Sequence, residues 1–295
     1  MSSHLKNIKN YVAGIDIGGS HITTGIVDLN KGGLLDDFIV RKRVDSKAPA
    51  EEIFSAWCMA IQELWQHYGV SSCRLGFAMP GPFNYATGVS LIKGFDKFEA
   101  LYQMNIREEL ARCLSIDKED LRFRNDAEAF LEGEVYGGAA KGYTHAAGVT
   151  LGTGFGSAFS HNGQTGDAEL SVTQYKGEKI EEFVSTRGIV RRYKELTGRS
   201  IRDAREAAEL YHSDPDAAAA FNIFAIDLTW ILKILIENEQ PEIVVIGGSI
   251  AHSWELFMKT VIGNISEAMP DAPKIVKAAL AENAALVGGA FCFKK

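Results

Sequence analysis

Runs of apolar residues that end in glycine-rich turns recur along this chain. Residues 11–30 (YVAGIDIGGSHITTGIVDLN) hold two β-rich runs on either side of a polar turn, a pattern that predicts a β-hairpin. Residues 146–160 (AAGVTLGTGFGSAFS) repeat this design around the turn 152–154. A strand–turn–strand element that occurs in both halves of a chain predicts two related domains that face each other.

The rest of the pattern predicts helices and short buried strands. Strands are predicted over 74–79, 121–124 and 242–246. Helices are predicted over 50–68, 127–136, 254–263 and 283–293, and from about 180 to 235 with breaks near Gly198 and Pro215. Glycine weakens a helix interior, so we interpret the pair Gly288–Gly289 as a point of close packing.

Composition narrows the classes of protein that remain. The chain has 295 residues, 46% of them hydrophobic and 23% charged, which is typical of a soluble globular protein with room for two domains. The formal net charge of −7, without any basic tract, argues against a nucleic-acid partner.

Cysteine usage and apolar segments predict a cytoplasmic location. The cysteines show no C-x-x-C spacing, so we expect free thiols in a reducing compartment: Cys58, Cys73, Cys113 and Cys292. The N-terminal residues MSSHLKNIKN are not followed by the apolar region of a signal peptide. The apolar stretch 221–236 contains Asp227 and Lys233, and we interpret it as too short and too interrupted to span a membrane.

The glycine turns are candidates for binding phosphate. The chain has no G-x-x-x-x-G-K-[ST] or G-x-G-x-x-G pattern, and the first two glycine turns lead into strands rather than helices, which argues against P-loop and Rossmann folds. Backbone N–H groups in such turns can form an anion-binding nest, and Asp16 directs a carboxylate at the first one. Two opposed turns could hold the phosphates of a nucleotide between the domains.

Five segments, in order, resemble the ROK family of sugar kinases and sugar-responsive repressors, with glucokinases and N-acetylhexosamine kinases as the nearest types. The segments are DIGGSHITTGIVD, PGPFNYATG, RNDAEAFLEGEVYGGAAKG, TLGTGFGSAFSHNG and IVVIGGSI. The resemblance implies an α/β fold of the actin-like ATPase superfamily, with duplicated ribonuclease-H-like domains and an interdomain cleft. We expect domains at 1–125 and 126–282, with residues 283–295 packing back on the first.

The resemblance also implies ATP and Mg²⁺ as ligands and assigns roles to single residues. Asp16, Gly18, Gly19 and Ser20 resemble the first phosphate motif, with Asp16 holding Mg²⁺ through water. Gly152, Thr153 and Gly154 resemble the second phosphate motif, and Gly247 and Gly248 resemble the adenosine-binding turn. Sugar-binding roles fall on Gly81, Asn125, Asp126, Glu169 and Glu181, with Asp126 as the catalytic base.

Each acid also has an ordinary structural interpretation. Asp126 stands at the start of a predicted helix, where aspartate is a common N-cap. Asp16 can stabilise its own turn. Glu169 and Glu181 would otherwise be solvated surface acids.

Three segments depart from the family pattern. Val172 stands where the family usually has a histidine, and 173–182 (TQYKGEKIEE) replaces a cysteine-rich zinc loop. Structural zinc needs about four Cys or His ligands, so we predict no zinc. The segment 91–98 (LIKGFDKF) differs from the family's sugar-contact loop.

The sequence therefore predicts an ATP-dependent kinase of a hexose or N-acetylhexosamine, acting at the C6 hydroxyl. The alternative is a catalytically weak sugar-binding or regulatory protein of the same family. A repressor is disfavoured, since the first phosphate turn near residue 16 leaves no room for a DNA-binding domain. We expect a small-molecule sugar as partner, no nucleic acid, no membrane, and a possible homodimer.

Overall fold

Two units, each built around a five-stranded sheet, make up the computed structural model. The structure describes residues 10–294; residues 1–9, on which part of the signal-peptide analysis rests, lie outside them. The first unit comprises the described parts of Met1–Gly138 and Glu282–Lys295, and the second comprises Ala139–Ala281. The first boundary lies further along the chain than the one expected from the sequence.

The first unit begins with a hairpin and continues with alternating helices and strands. Its strands are β1 (Tyr11–Ile17), β2 (His21–Asp28), β3 (Gly33–Arg43), β4 (Arg74–Met79), β5 (Phe83–Asn84), β6 (Val89–Ser90) and β7 (Leu121–Asn125). Its first helices are α1 (Ala50–Tyr68), α2 (Ile106–Leu114) and α3 (Asp126–Gly137).

The second unit repeats the hairpin and adds most of its helices after it. Its strands are β8 (His145–Leu151), β9 (Phe155–His161), β10 (Gln164–Asp167), β11 (Gln174–Tyr175), β12 (Glu178–Lys179), β13 (Ile243–Gly247) and β14 (Lys274–Lys277). Its helices are α4 (Thr186–Thr197), α5 (Ala204–Leu210), α6 (Pro215–Glu239) and α7 (Met258–Ala268). The chain then returns to the first unit as α8 (Ala284–Ala290).

The two large sheets have the same topology. Their strand orders are β3-β2-β1-β4-β7 and β10-β9-β8-β13-β14. In each sheet, the three strands that come first in the sequence form an antiparallel meander: β1 to β3 in one and β8 to β10 in the other. Two further strands then pair in parallel, β4 and β7 in the first sheet and β13 and β14 in the second. The predicted α/β class and its duplication are therefore confirmed.

The periodicity located the most strongly patterned elements and missed weaker ones. The predicted helix over 50–68 and strand over 74–79 coincide with α1 and β4. The predicted helix over 254–263 has the wrong bounds, because a 3-10 segment (Ser249–Leu256) precedes α7. The apolar pattern gave no sign of β3, β10, β14 or α2. Each of these strands lies at a sheet edge, where polar side chains hide the alternation.

The helix α8 packs so closely on the first unit that side chains cannot fit between the backbones. A Cβ at Gly288 would overlap the carbonyl group of Ala129 on α3, and one at Gly14 would overlap that of Leu286. A Cβ at Gly76 on β4 would overlap the carbonyl of Gly289. The predicted close packing at the glycine pair of α8 is confirmed, and it ties α3 to the first unit.

Among residues 10–294, one helix, α6, is long and apolar enough to cross a membrane by length and composition. The apolar stretch 221–236, interpreted from the sequence as too short to span a membrane, forms the middle of α6, which has 25 residues. Its most apolar window is 61% buried inside the protein, and Phe221, Leu228 and Leu232 belong to the hydrophobic core of the second unit. The structure thus accounts for the apolar character of α6 as that of a core helix.

Two cysteines predicted to be free are joined. Cys58 on α1 and Cys113 on α2 form a disulfide, with their Cα atoms 6.7 Å apart. They are separated by 55 positions in the sequence, so spacing gave no sign that α1 and α2 pack together. Cys73 and Cys292 are free, and Cys73 Sγ accepts a hydrogen bond from Trp65 Nε1 (3.1 Å).

The packing of α8 predicts opposite effects of two glycine substitutions. Gly288→Ala forces a methyl group into the backbone of α3, and we expect a loss of about 1–3 kcal/mol or more in the free energy of unfolding. Gly263→Ala, in α7 with open space around it, should instead be neutral or stabilising by up to about 1 kcal/mol. Urea unfolding followed by circular dichroism measures both, and equal stabilities would refute the close packing.

Candidate active site

The first glycine turn is the tip of the β1–β2 hairpin. The Gly18 N–H donates to the carbonyl of His21 (2.9 Å), so Gly19 and Ser20 form the exposed tip. Within residues 10–294 the Gly19 N–H has no hydrogen-bond partner. A Cβ built at Gly19 would meet nothing nearer than Lys97 Cδ at 4.0 Å. Packing therefore does not require a glycine here, whereas close approach of a ligand to the backbone would.

Asp16 lies near the end of β1, directly before this turn. Burial, with a further contribution from the negative charge of Asp126, raises the pKa of Asp16 from 3.8 to about 7. The positive charge of Arg41 lowers the pKa of Asp16, which opposes this shift. Arg41 also forms an ion pair with Glu282, with 3.3 Å between Arg41 Nη1 and Glu282 Oε2. A carboxylate in such surroundings fits a cation site, because a bound cation would favour its charged form.

Asn125, at the end of β7, caps the helix that follows. Its Oδ1 accepts the N–H groups of Ala127 (2.8 Å) and Glu128 (3.2 Å). Asp126 is therefore the first helical residue rather than the cap, although its Oδ1 also accepts the Ala127 N–H (3.0 Å). The Asp126 side chain is exposed, close enough to Asp16 for their charges to interact.

Tyr85 is a residue at this site that the sequence analysis did not single out. Its hydroxyl accepts a hydrogen bond from Asn125 Nδ2 (3.2 Å) and donates to the carbonyl of Met79 (3.2 Å). A Cβ at Gly81 would lie 3.3 Å from the same hydroxyl, so Gly81 makes room for it. Its position in the segment PGPFNYATG was the available signal. The structure thus groups Gly81 and Asn125 around Tyr85, at the carboxyl ends of β4 and β7.

The second glycine turn is held by the start of α4. The Gly152 N–H donates to the carbonyl of Gly154 (3.0 Å), and the Thr186 N–H donates to the carbonyl of Gly152 (2.8 Å). Arg187 Nη1 donates to the carbonyl of Thr153 (3.1 Å). Thr153 is exposed, and within residues 10–294 its N–H has no hydrogen-bond partner.

Glu181 contacts the second glycine turn directly. Its Oε2 accepts the Phe155 N–H (3.0 Å), and its Oε1 accepts Arg187 Nη2 (3.0 Å). A Cβ at Gly154 would lie 2.7 Å from Oε2, so a side chain there would displace the Glu181 carboxylate from its present position. A carboxylate can accept about four hydrogen bonds, which leaves capacity for a sugar hydroxyl. Arg187 was not predicted as a site residue, because a single arginine in a predicted helix has no distinguishing pattern.

Glu169 stands directly before a short 3-10 segment (Leu170–Val172). It is exposed, has a left-handed backbone (φ 53°), and its N–H donates to Asp167 Oδ1 (2.7 Å). No hydrogen bond joins it to Glu181 in the part of the chain that the structure describes. Val172, where the family resemblance implies a histidine, has 56% of its surface exposed.

The third glycine turn follows β13 and packs on the second. Gly247 ends the buried strand, and Gly248 has a left-handed backbone (φ 88°). A Cβ at Gly248 would overlap the backbone of Leu151, immediately before the second turn. A Cβ at Gly152 would lie 3.5 Å from Ser249 Oγ. The structure thus brings the second and third turns together in the second unit.

Most of the chain matches the model of one protein family. The model described as "ROK family" matches residues 12–168 and 175–295. The chain belongs to the ROK family. The match is interrupted at 169–174, the segment that holds Glu169 and Val172.

Relatives of this ROK chain include named sugar kinases. It is 24% identical to a glucokinase of Thermotoga maritima over 317 residues, covering 96% of each chain. It is 25% identical to an N-acetyl-D-glucosamine kinase of Haemophilus influenzae, covering 81% of this chain and 84% of the relative. A ROK glucokinase of Streptomyces griseus, solved with glucose and AMPPNP, matches with a TM-score of 0.77 at 22% identity, covering 96% of this chain and 98% of the other. The predicted actin-like ATPase fold is confirmed.

The raised pKa of Asp16 predicts how the stability of the ROK chain depends on pH. The folded state favours protonated Asp16, so this group's contribution to stability is present below 3.8 and is lost as pH rises through about 7. Asp16→Asn removes that dependence. In EDTA we expect the variant to melt higher than wild type at about pH 8 and equally at about pH 4.

Asp37→Asn, an exposed acid on β3, is the control for removing one negative charge. The difference in melting temperature between Asp37→Asn and wild type should be the same at both pH values. A constant difference for Asp16→Asn as well would contradict the raised pKa.

Proposed function

We propose that this protein transfers the γ-phosphoryl group of ATP to the C6 hydroxyl of a hexose or an N-acetylhexosamine. Its family and its relatives, which are named glucokinases and N-acetylglucosamine kinases, support this class of reaction. One observation supports it most: Asn125 caps α3 and leaves Asp126 as an exposed carboxylate whose negative charge acts on Asp16. A helix-capping role alone would not need this second acid.

Asp126 would accept the proton of the attacking hydroxyl. Phosphoryl transfer depends chiefly on positioning and charge stabilisation, and a carboxylate base is the usual third element. Asn125 would orient the sugar, since its Oδ1 is fixed by the helix and one Nδ2–H by Tyr85, which leaves a second N–H for a sugar hydroxyl. Gly81 keeps the space around Tyr85 open.

The glycine turns would receive the phosphates of ATP. The unpartnered N–H groups of Gly19 and Thr153 are donors suited to phosphate oxygens, with Gly18, Ser20, Gly152 and Gly154 shaping the two turns. Asp16 would hold Mg²⁺ through a water molecule, and the ion would supply neutralisation of phosphate charge when bound. Gly247 and Gly248 would receive the adenosine.

Two acids of the second unit complete the proposal for sugar binding. Glu181 is held in place by Phe155 and Arg187, and its remaining lone pairs would accept sugar hydroxyls. Glu169 is exposed and would do the same, as the family resemblance implies. Because ATP is the proposed phosphoryl donor, we place the reaction in the cytoplasm, with a small-molecule sugar as partner. A homodimer stays a prediction.

The role of Asp126 is tested by Asp126→Asn. The variant keeps the shape of the side chain and removes the proton acceptor, so we expect turnover to fall about a hundredfold to ten-thousandfold. Sugar affinity should change much less, because the loss falls mainly in the transition state. A coupled ADP assay on glucose, N-acetylglucosamine, N-acetylmannosamine, fructose, mannose and allose, beside calorimetric sugar binding, measures both quantities.

Glu108→Gln, an exposed acid in the first turn of α2, is the matched control and should retain full turnover. Full turnover of Asp126→Asn would refute its role as base. Sugar binding by wild type without turnover on any of these sugars would instead favour the catalytically weak binding protein.

The first glycine turn is tested by Gly19→Ala. The methyl group has space in the free protein, so the melting temperature should not change. It would hinder approach of a phosphate, and losing one hydrogen bond to a charged group weakens binding about tenfold or more. Calorimetry with Mg²⁺ and a non-hydrolysable ATP analogue measures this. Gly33→Ala, which also has open space, is the control, and equal affinity of the two variants would reject the turn as a phosphate site.

A further inference from the structure

The segment 173–182, where the resemblance implies a zinc loop, forms a small hairpin of β11 and β12. The Ile180 N–H donates to the carbonyl of Thr173 (2.8 Å) and closes its base. Among residues 10–294, no three His, Cys, Asp or Glu side chains lie together so that they could hold a metal ion. The hairpin presents a phenol and an ammonium group instead, and these do not fit zinc.

A buried carboxylate on α6 holds the tip of this hairpin. Asp227 is 1% exposed, and its Oδ1 accepts hydrogen bonds from Tyr175 Oη (2.8 Å) and Lys176 Nζ (2.6 Å). Its Oδ2 lies 4.0 Å from Arg192 Nη2 on α4. A carboxylate buried this deeply is stable only when it is paired and hydrogen-bonded, so the four side chains form one unit, which we call the Asp227 clasp.

The backbone of the hairpin is shaped to make this contact. Lys176 and Gly177 both have left-handed conformations (φ 49° and 87°), which is costly for lysine. This turn brings the ammonium group of Lys176 to Asp227. The ring of Tyr175 lies 4.4 Å from that of Trp230 on α6, centroid to centroid, and 5.2 Å from that of Phe183.

The hairpin leads directly into the proposed sugar-binding acid. Strand β12 ends at Lys179, Ile180 is fully buried, and Glu181 follows. Phe183, two residues beyond, packs against Tyr175 of the clasp. Glu181 is therefore fixed from both sides by groups that the clasp holds in place.

We propose that Asp227 is a positioning residue, which through Lys176 and Tyr175 fixes the hairpin and thereby holds Glu181 against the second glycine turn. A buried ion pair thus takes the place of a metal in ordering this loop. The catalytic part of the inference rests on the proposed function, whereas its structural part does not.

The test compares two lysines of the same hairpin. Lys176→Met breaks the clasp, Lys176→Arg keeps a cation, and Lys179→Met removes an exposed lysine that makes no ion pair in the described part of the chain. Asp227→Asn is a further variant, but removing a buried charge can prevent folding. Lys176 is half-exposed, so its variants test the proposal even if Asp227→Asn does not fold. The Phe155 N–H donates a hydrogen bond to Glu181. The rate of hydrogen exchange at this amide therefore reports the position of Glu181 without any substrate.

With Lys176→Met we expect faster exchange at Phe155 and a sugar KM raised about tenfold, the effect of losing a charge-assisted hydrogen bond. The kcat should stay within about twofold, and the KM for ATP should change less than the KM for sugar, since Glu181 also contacts the second glycine turn. Lys176→Arg should restore both readouts, and Lys179→Met should change neither.

Any one of the following results would overturn the proposal: unchanged exchange at Phe155 in Lys176→Met, equal effects of Lys176→Met and Lys179→Met, or stoichiometric zinc in the purified protein by elemental analysis. A merely structural clasp would lower the melting temperature and leave the sugar KM unchanged, which also refutes positioning. Absence of turnover by wild type on every hexose would refute the proposed function, while exchange at Phe155 still decides whether the clasp positions Glu181.

Discussion

Direct contact between backbones, possible only where a side chain is missing, is the constraint on which both units depend. In the first unit, α8 meets the sheet and α3 at glycines, and a Cβ at Gly14, Gly76 or Gly288 would overlap a carbonyl group. In the second unit, Gly248 meets the backbone of Leu151 in the same way. These contacts involve β1 and β4 in the first unit and the ends of β8 and β13 in the second. The three glycine turns follow β1, β8 and β13, and Asp16 lies near the end of β1.

The two units use the same hairpin for different electrostatic purposes. Asp16 on β1 and Thr150 on β8 occupy the same place in strands of seven residues, each followed by one apolar residue and a glycine turn. The first unit therefore has a carboxylate of raised pKa beside its turn, with a second acid, Asp126, close by. The second unit has its acid, Glu181, delivered from outside the hairpin and already paired with Arg187. The first arrangement suits a cation and a proton acceptor, and the second suits a fixed hydrogen-bond acceptor.

The region between Glu169 and Glu181 shows how a loop can change while the fold stays. The family match is interrupted at 169–174, and the hairpin that follows is ordered by the charge of Lys176 on Asp227. Asp227 was visible in the sequence as an acid inside an apolar helix. It is 1% exposed, and Tyr175 and Lys176 donate hydrogen bonds to it, whereas a buried acid without partners would destabilise the core.

The sequence by itself determined the elements whose pattern is local and the residues that belong to motifs. The hairpins, α1, β4 and the position of Asp126 at a strand–helix junction follow from apolar spacing and glycine turns, which act over a few residues. Only the tertiary structure decided that Asn125 rather than Asp126 caps α3, that Tyr85 supports Asn125, and that Arg187 holds Glu181. It also decided the pairs that join distant segments, Cys58 with Cys113 and Lys176 with Asp227. The physical reason is that these contacts form between elements that the burial of apolar surface brings together. The local pattern of apolar and polar residues does not indicate which elements pack against each other.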